Sequence, residues 1–260
     1  MWPFERQRDV LRIGKLAVEL WGREAGGLVK RRGVTIEGSV DLRGAVQLAL
    51  EGESPTRAPV DVVVESAWMP VVLLEPGPQL LRREHVEALL RHRLARVYDE
   101  RSEAVSNWAL QLDHRPGEAY GLGFGLPPSV RAAIEAGAQA SGRPLASLQP
   151  AMQWARRVAK PCEGWWLWLE QDRAVLAWLE RGRVAALHAA ADIPRDAAAL
   201  ACLVRIEAAR AGVGTPEAPV LLSGWEQAFA MGEGALPWRS VGSAGQAVAT
   251  PPARPVGAAA

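Results

Sequence analysis

Four acidic residues, Glu19, Glu65, Glu170 and Asp172, stand in or beside apolar runs. Carboxylates in such places can hold divalent ions for phosphoryl chemistry, but a two-metal nuclease needs them gathered at one point. Here they are spread across the chain, so that chemistry is not expected, and Glu170 and Asp172 in "LEQDR" equally fit a polar strand end. Gly121, Gly123 and Gly125 in "GLGFGLPPS" lie between a strand and a helix, as a phosphate loop would, yet lack the Walker lysine and the GxGxxG spacing. A glycine-bearing strand packed closely on a neighbour, with Ser129 near a helix start, is the expectation. His85 and His92 are seven apart on one helix, while His114 and His188 fall in other elements. A metal would want further ligands nearby, so solvent-side histidines are expected. There is no GxSxG, and neither Cys162 nor Cys202 has a histidine nearby in sequence. No catalytic residue and no metal site is expected.

Composition narrows the classes further. The chain has 260 residues, 49% of them hydrophobic and 23% charged, with a formal net charge of +1. A near-neutral chain lacks the basic excess of a protein dominated by phosphate contacts, so nucleic acid is not an expected partner. Two distant cysteines form neither a disulfide framework nor a zinc knuckle, and point to a reducing cytoplasm. The leader "MWPFERQRDVLRIGK" alternates charges where a signal peptide needs an apolar run. No apolar segment reaches the ~18 residues of a membrane span.

The elements that would position these residues can be placed by pattern. "KLAVELWGREAGGLVKRRGVTIEGSV" suggests three short strands, with turns at Gly22–Gly27 and at Gly33. "DLRGAVQLALEGE" is a short helix or loop, and the Val-rich "APVDVVVESAWMPVVLLEP" gives two strands. Val86, Leu89, Leu90, Leu94 and Val97 recur at spacings of three and four, which predicts a helix over 82–101. Its polar face carries Arg83, Arg91, Arg93 and Arg96, expected to be solvated, with docking to an acidic partner as the alternative. "SNWALQLDHRPGEAYGLGFGL" is a hairpin turning at "HRPGE", and the prolines before Ser129 start a helix that stops at Gly142. "RPLASLQPAMQWARR" holds another short helix. A helix over 195–211, a strand "PVLLSGW" and a segment ending "LPWRSV" follow.

Two stretches look alike. "LAVELWGREAGGLVKRRGVTI" and "LWLEQDRAVLAWLERGRVAAL" each run from an apolar strand ending on a glutamate, Glu19 or Glu170, through a polar turn to a second strand. Arg32-Gly33 and Arg181-Gly182 then precede a third strand, which suggests two similar α/β halves. In the second copy Trp166 and Trp168 share one strand face while Trp165, Leu167 and Leu169 share the other. Both faces are apolar, as in a buried central strand.

Taken together, the repeated three-stranded starts, the late "LSG" and the middle segment resemble the actin-like ATPase superfamily. The resemblance runs from about Leu16 to Val241 and favours the branch of the pilus protein PilM and the GspL cytoplasmic domain of type II secretion. It implies a two-lobed α/β fold of the duplicated RNase H-like kind, with an inserted α+β subdomain in the first lobe and a reduced second lobe. The first lobe would span 1–158, with the insert at about 60–126. The second would span 159–242, and 243–260 would be a disordered tail.

By the same resemblance, nucleotide chemistry needs an acidic residue and close backbone N–H groups in the first meander's turn, which falls on Glu19 and Gly22. The equivalent second turn, Glu170 to Asp172, has no glycine, and Trp225 after Gly224 would crowd a nucleoside. A degenerate site follows: no ATP hydrolysis, with ATP and magnesium binding left open. The implied role is a non-catalytic cytoplasmic scaffold of a pilus or secretion assembly, held at the inner membrane by the cytoplasmic peptide of a single-span partner. An assembly ATPase is a further partner, and a groove beside the insert is the expected docking place. The alternative is a nucleotide-dependent enzyme or switch.

Overall fold

The computed structural model describes residues 8–24, 27–37, 40–51, 58–75, 82–97, 105–114, 120–159, 163–191, 197–213, 220–224 and 238–240. The tail from 243, Trp225 and the hairpin turn 115–119 lie outside the described residues.

The first half opens with an antiparallel meander, β1 (Val10–Ile13), β2 (Ala17–Glu24) and β3 (Gly27–Thr35). Helix α1 (Leu42–Leu50) leads to β4 (Val60–Val64), which pairs parallel with β1. β8 (Leu145–Pro150) then joins β4 in parallel, giving the order β3-β2-β1-β4-β8. The second half repeats the plan with β9 (Gly164–Leu169), β10 (Arg173–Glu180), β11 (Arg183–Ala191), β12 (Val220–Gly224) and β13 (Trp238–Ser240). Its order is β11-β10-β9-β12-β13, with the same strand directions. Each half is therefore a meander followed by two parallel strands, and the chain is a duplication.

Between β4 and β8 the first half carries β5 (Val71–Leu74), α2 (Arg83–Val97), β6 (Ala109–Asp113), β7 (Gly121–Leu126) and α3 (Pro128–Ser141). β5, β7 and β6 form a separate antiparallel sheet, backed by α2. Val60–Val64, expected inside the insert, belongs instead to the first sheet. It is a central strand, paired on its two edges with β1 and β8, and four of its five residues are buried. α4 (Ala151–Ala159) links the halves, and α5 (Ala197–Arg210) covers the second sheet.

The first meander also differs from expectation. β1 lies in the stretch taken as a charged leader, and Gly33 lies within β3 rather than at a turn. Arg12 is tolerated in a buried strand because carboxylates meet it there. The short helix expected in "RPLASLQPAMQWARR" is α4, and a strand, Leu145–Pro150, precedes it in the same stretch. The glycines of β7 behave as expected, since a Cβ on Gly123 or Gly125 would run into Leu90 or Leu94 of α2. His85 and His92 are exposed.

α1 starts at Asp41, whose side chain accepts from the Gly44 N–H at 2.7 Å, and it buries Leu42, Ala45, Val46, Ala49 and Leu50 on one face. α3 lies against it so closely that a Cβ on Gly137 would stand 2.6 Å from the Arg43 carbonyl oxygen and 2.8 Å from Val46 Cβ. Gly137→Ala is therefore expected to destabilise the protein by about 1–3 kcal/mol despite alanine's better helix propensity. An unchanged or higher urea midpoint would show that the two helices are not in contact here.

Candidate functional site

The two meanders bring their first turns face to face. In the first half Gly14 follows β1, with the Gly14 N–H on the Ala17 carbonyl at 3.0 Å. In the second half Glu170 follows β9, with the Glu170 N–H on the Arg173 carbonyl at 2.9 Å. Gly14 and Glu170 are thus structural equivalents, and Glu19 is not the partner of Glu170. Glu19 stands in the middle of β2, opposite Arg12, and Gly22 lies within the same strand beneath the Arg31 guanidinium. Gly224 ends β12 beside Leu169, next to the second turn. Of the expected positions, Glu170, Asp172 and Gly224 therefore lie together, while Glu19 and Gly22 lie in a strand.

Gln171 bridges the two turns. Its Oε1 accepts from the Leu16 N–H at 3.0 Å and the Ala17 N–H at 2.9 Å, and its Nε2 donates to the Ala17 carbonyl at 3.2 Å. Only a glycine at position 14 leaves room, because a Cβ there would fall 2.1 Å from Gln171 Oε1. The end of β4 forms the third wall. The Glu65 N–H donates to the Ile13 carbonyl, and Trp68 Nε1 donates to the Gly14 carbonyl at 2.8 Å.

Two carboxylates cross this meeting point in opposite directions. Glu170 accepts from the Ser66 N–H at 2.9 and 3.1 Å and from the Ser66 hydroxyl, with Trp168 Nε1 at 3.3 Å. Glu65 accepts from the Gln171 N–H at 3.2 Å. Each acid takes the backbone N–H that follows the other. Glu65 also holds Arg12 at 2.6 Å, and Arg12 reaches Glu19 at 2.8 Å, which in turn takes Lys30 at 2.5 Å and Trp21 Nε1 at 3.3 Å. Asp172 lies 3.4 Å from both Lys15 and Arg173.

The charges respond to these surroundings. Burial pushes the Glu19 carboxyl up, but Arg12 and Lys30 outweigh it and hold that carboxyl below its ordinary value. Burial raises Glu65 against the pull of Arg12. Burial, and then the charge of Glu65, push Glu170 up to about 8. Among the described residues no group of three or more His, Cys, Asp or Glu side chains could hold a metal ion.

Arg12, Gly14, Ser66 and Gln171 are not among the expected site residues, and Glu65 enters the sequence reading only as a possible metal-holding carboxylate. The available signal was the overlay of "RIGK" on "WLEQ", which the charged flank of β1 obscured.

A second feature lies beside the insert. β6 and β8, each an edge strand among the described residues, both line a groove of about 360 Å³. Met69 and Leu126 are its buried apolar members, Leu110, Leu145 and Leu148 are partly exposed, and Ala146 is exposed.

A duplicated α/β protein with an inserted three-stranded sheet in its first half is the class these observations define. Solved structures identify the fold as that of the actin-like ATPases. The cytoplasmic domain of EpsL, an inner membrane component of the Vibrio cholerae type II secretion system, aligns with a TM-score of 0.53 at 13% identity, covering 89% of this chain and 87% of that one. A Bacteroides thetaiotaomicron protein of actin-like ATPase fold and unknown function aligns with a TM-score of 0.56 at 11% identity, covering 87% and 86%. A PilM–PilN type IV pilus biogenesis complex aligns with a TM-score of 0.47 at 12% identity, covering 72% and 62%. No family model matches the chain, and no curated protein matches it in sequence.

Proposed function

We propose that this chain is a non-catalytic scaffold of a secretion- or pilus-type assembly, which receives an extended cytoplasmic segment of an inner-membrane partner between β6 and β8. The observation that carries this reading is the groove itself. Among the described residues β6 and β8 are edge strands that an added strand could pair with, and the apolar side chains of the groove, with Gln111, Arg131, Glu135 and Ser147 as polar anchors, give that strand a place to bury alternate residues. The fold likeness to the cytoplasmic domain of EpsL, itself an inner membrane component, agrees with a partner at that membrane. No helix among the described residues is long and apolar enough to cross a membrane. An assembly ATPase is the further partner this role would bring.

Nucleotide chemistry has less support. The paired N–H groups of the first turn, which could face a phosphate, are taken by Gln171. Glu19 is 3% exposed and already neutralised by Arg12 and Lys30, and Gly22 lies within β2 beneath the Arg31 guanidinium, away from the first turn at Gly14. ATP and magnesium are therefore not part of the proposed function.

Calorimetric titration with a synthetic peptide of the cytoplasmic segment of the single-span protein encoded beside this one tests the reading. Micromolar binding is expected, weakened at least tenfold (about 1.4 kcal/mol) by Ala146→Arg, which fills the groove from an exposed position. Mg-ATP is expected to give no heat. Peptide binding indifferent to Ala146→Arg would remove the groove from the proposal. Micromolar Mg-ATP binding abolished by Glu19→Ala would replace it with a nucleotide switch.

A further inference from the structure

The charges buried where the two halves meet do not balance unless one acid is neutral. Arg12, 3% exposed, and the surface residue Lys30, whose ammonium reaches in to Glu19, supply two positive charges, and Glu65 and Glu19 take both through contacts of 2.5–2.8 Å. Among the described residues Glu170, 8% exposed, has only neutral donors within hydrogen-bond reach: the Ser66 N–H, the Ser66 hydroxyl and Trp168 Nε1. The cations near the second turn, Lys15 and Arg173, both contact Asp172, and the attraction of Arg173 for Glu170 is outweighed by burial and by the charge of Glu65. An ionised Glu170 would be an uncompensated buried charge beside two further acids, Glu65 and Asp172, and such a group keeps its proton. The Ser66 hydroxyl, already touching the carboxyl, can accept that proton in a hydrogen bond.

From this geometry we propose that Glu170, Gln171, Glu65 and Ser66 form a clasp between the two halves that needs one proton, held on Glu170, to stay closed. Three connections make it up: Glu170 on Ser66, the Gln171 N–H on Glu65, and the Gln171 carboxamide on the Gly14–Ala17 turn. All three join residues more than 100 positions apart, so they tie the duplicated halves together rather than bracing either one. Loss of the proton places a negative charge beside Glu65, and the crossed carboxylates then repel. The clasp loosens and the turns separate far enough to admit water. Gln171, which fills the first turn's donor pair, leaves with the second turn. The clasp is thus an internal ligand for the cleft, closed at neutral pH and released in mild alkali. It is independent of the groove beside the insert.

The sign follows from the proton count. Glu170 is raised from 4.5 to about 8 in the folded protein, so between those values the folded state holds more protons than the unfolded one. The clasp's stabilisation is complete below pH 4.5, shrinks as pH rises and is lost through about pH 8. Comparing the full chain with Glu170→Gln isolates this group, since the amide keeps the acceptor and cannot ionise. The ratio of wild-type to variant folding constants is expected to fall by up to about tenfold per pH unit from pH 5 to 8, then level off. Backbone amides of Ser66, Gln171, Leu16 and Ala17, corrected for intrinsic exchange, are expected to lose protection together through pH 8 in the wild type and not in Glu170→Gln. Infrared spectra should show a protonated carboxyl band at pH 6.5 that disappears by pH 9. Should Glu170→Gln fail to fold, that band in the wild-type protein decides the matter. A missing band at pH 6.5, or amide protection unchanged across pH 8, overturns the proposal.

Discussion

Replacing Arg12 by methionine is expected to cost about 3–5 kcal/mol, a large part of the ~5–15 kcal/mol that holds a domain together. Methionine keeps most of the length of the side chain and would pack in β1, whose four residues are all buried. The loss comes from what it abandons. Glu65 is 0% exposed and would keep the Gln171 N–H, a neutral donor, as its described partner. Glu19 would keep Lys30 as its described cation, with the neutral Trp21 Nε1 beside it. A lone buried carboxylate costs far more than a balanced pair returns, which is why breaking such a pair is worse than replacing it. The double variant Arg12→Met with Glu65→Gln removes the stranded charge and is expected to recover part of the loss. Urea unfolding followed by tryptophan fluorescence measures both. If the single variant lies within about 1 kcal/mol of wild type, or if the double variant is the worse of the two, the cluster is hydrated rather than buried.

The same arginine explains which parts of the fold could be seen in the sequence. The second meander was legible because β9 and β10 are almost wholly apolar and the polar residues fall only at their turns, Glu170–Asp172 and Arg181–Gly182. The first meander has the same topology, but β1 carries a charge and follows a charged leader, so no local rule marks it as a strand. Its explanation lies at Glu65, 53 residues away. Missing β1 shifted the overlay by one strand and put Glu19 in a turn it does not occupy. Likewise Val60–Val64 has the composition of a buried strand, but its membership of the first sheet depends on β1 and β8. The site follows the same division. Glu170 and Asp172 could be found as a turn between strong strands. Gln171 could not, because its partners lie 154 and 155 residues away and an exposed-looking glutamine carries no local signal. The segment after β4 shows how close the two functional features lie. Glu65 and Ser66 enter the clasp, a tight turn follows with the Met69 N–H on the Glu65 carbonyl at 2.9 Å, and Met69 lines the groove.

The second large effect is expected in the strand that made the duplication visible. β9 is central in its sheet, between β10 and β12, and all six of its residues are buried. Trp166 and Trp168 point into the core shared with the first half, while Trp165 points to the cluster under α5. Trp166→Ala is therefore expected to lose about 3–5 kcal/mol, since a side chain with 0% exposure leaves a cavity its neighbours cannot close. Trp178→Ala, on β10, should cost only about 1–2 kcal/mol. Trp178 is half-buried, bonds Glu180 at the surface and meets Trp165 with ring centroids 5.4 Å apart. The difference between the two positions, in urea unfolding followed by circular dichroism, separates a buried central strand from an aromatic surface. Equal losses would favour the surface. The cavity should also be felt further along the strand, because Trp168 donates to Glu170 and stacks near Trp166 with centroids 6.4 Å apart. A relaxed β9 moves Glu170 away from Ser66, so Trp166→Ala is expected to lower Ser66 amide protection at neutral pH more than Trp178→Ala does. If the two variants protect Ser66 equally, the strand's packing does not position the clasp, and the tryptophans of β9 serve the core alone.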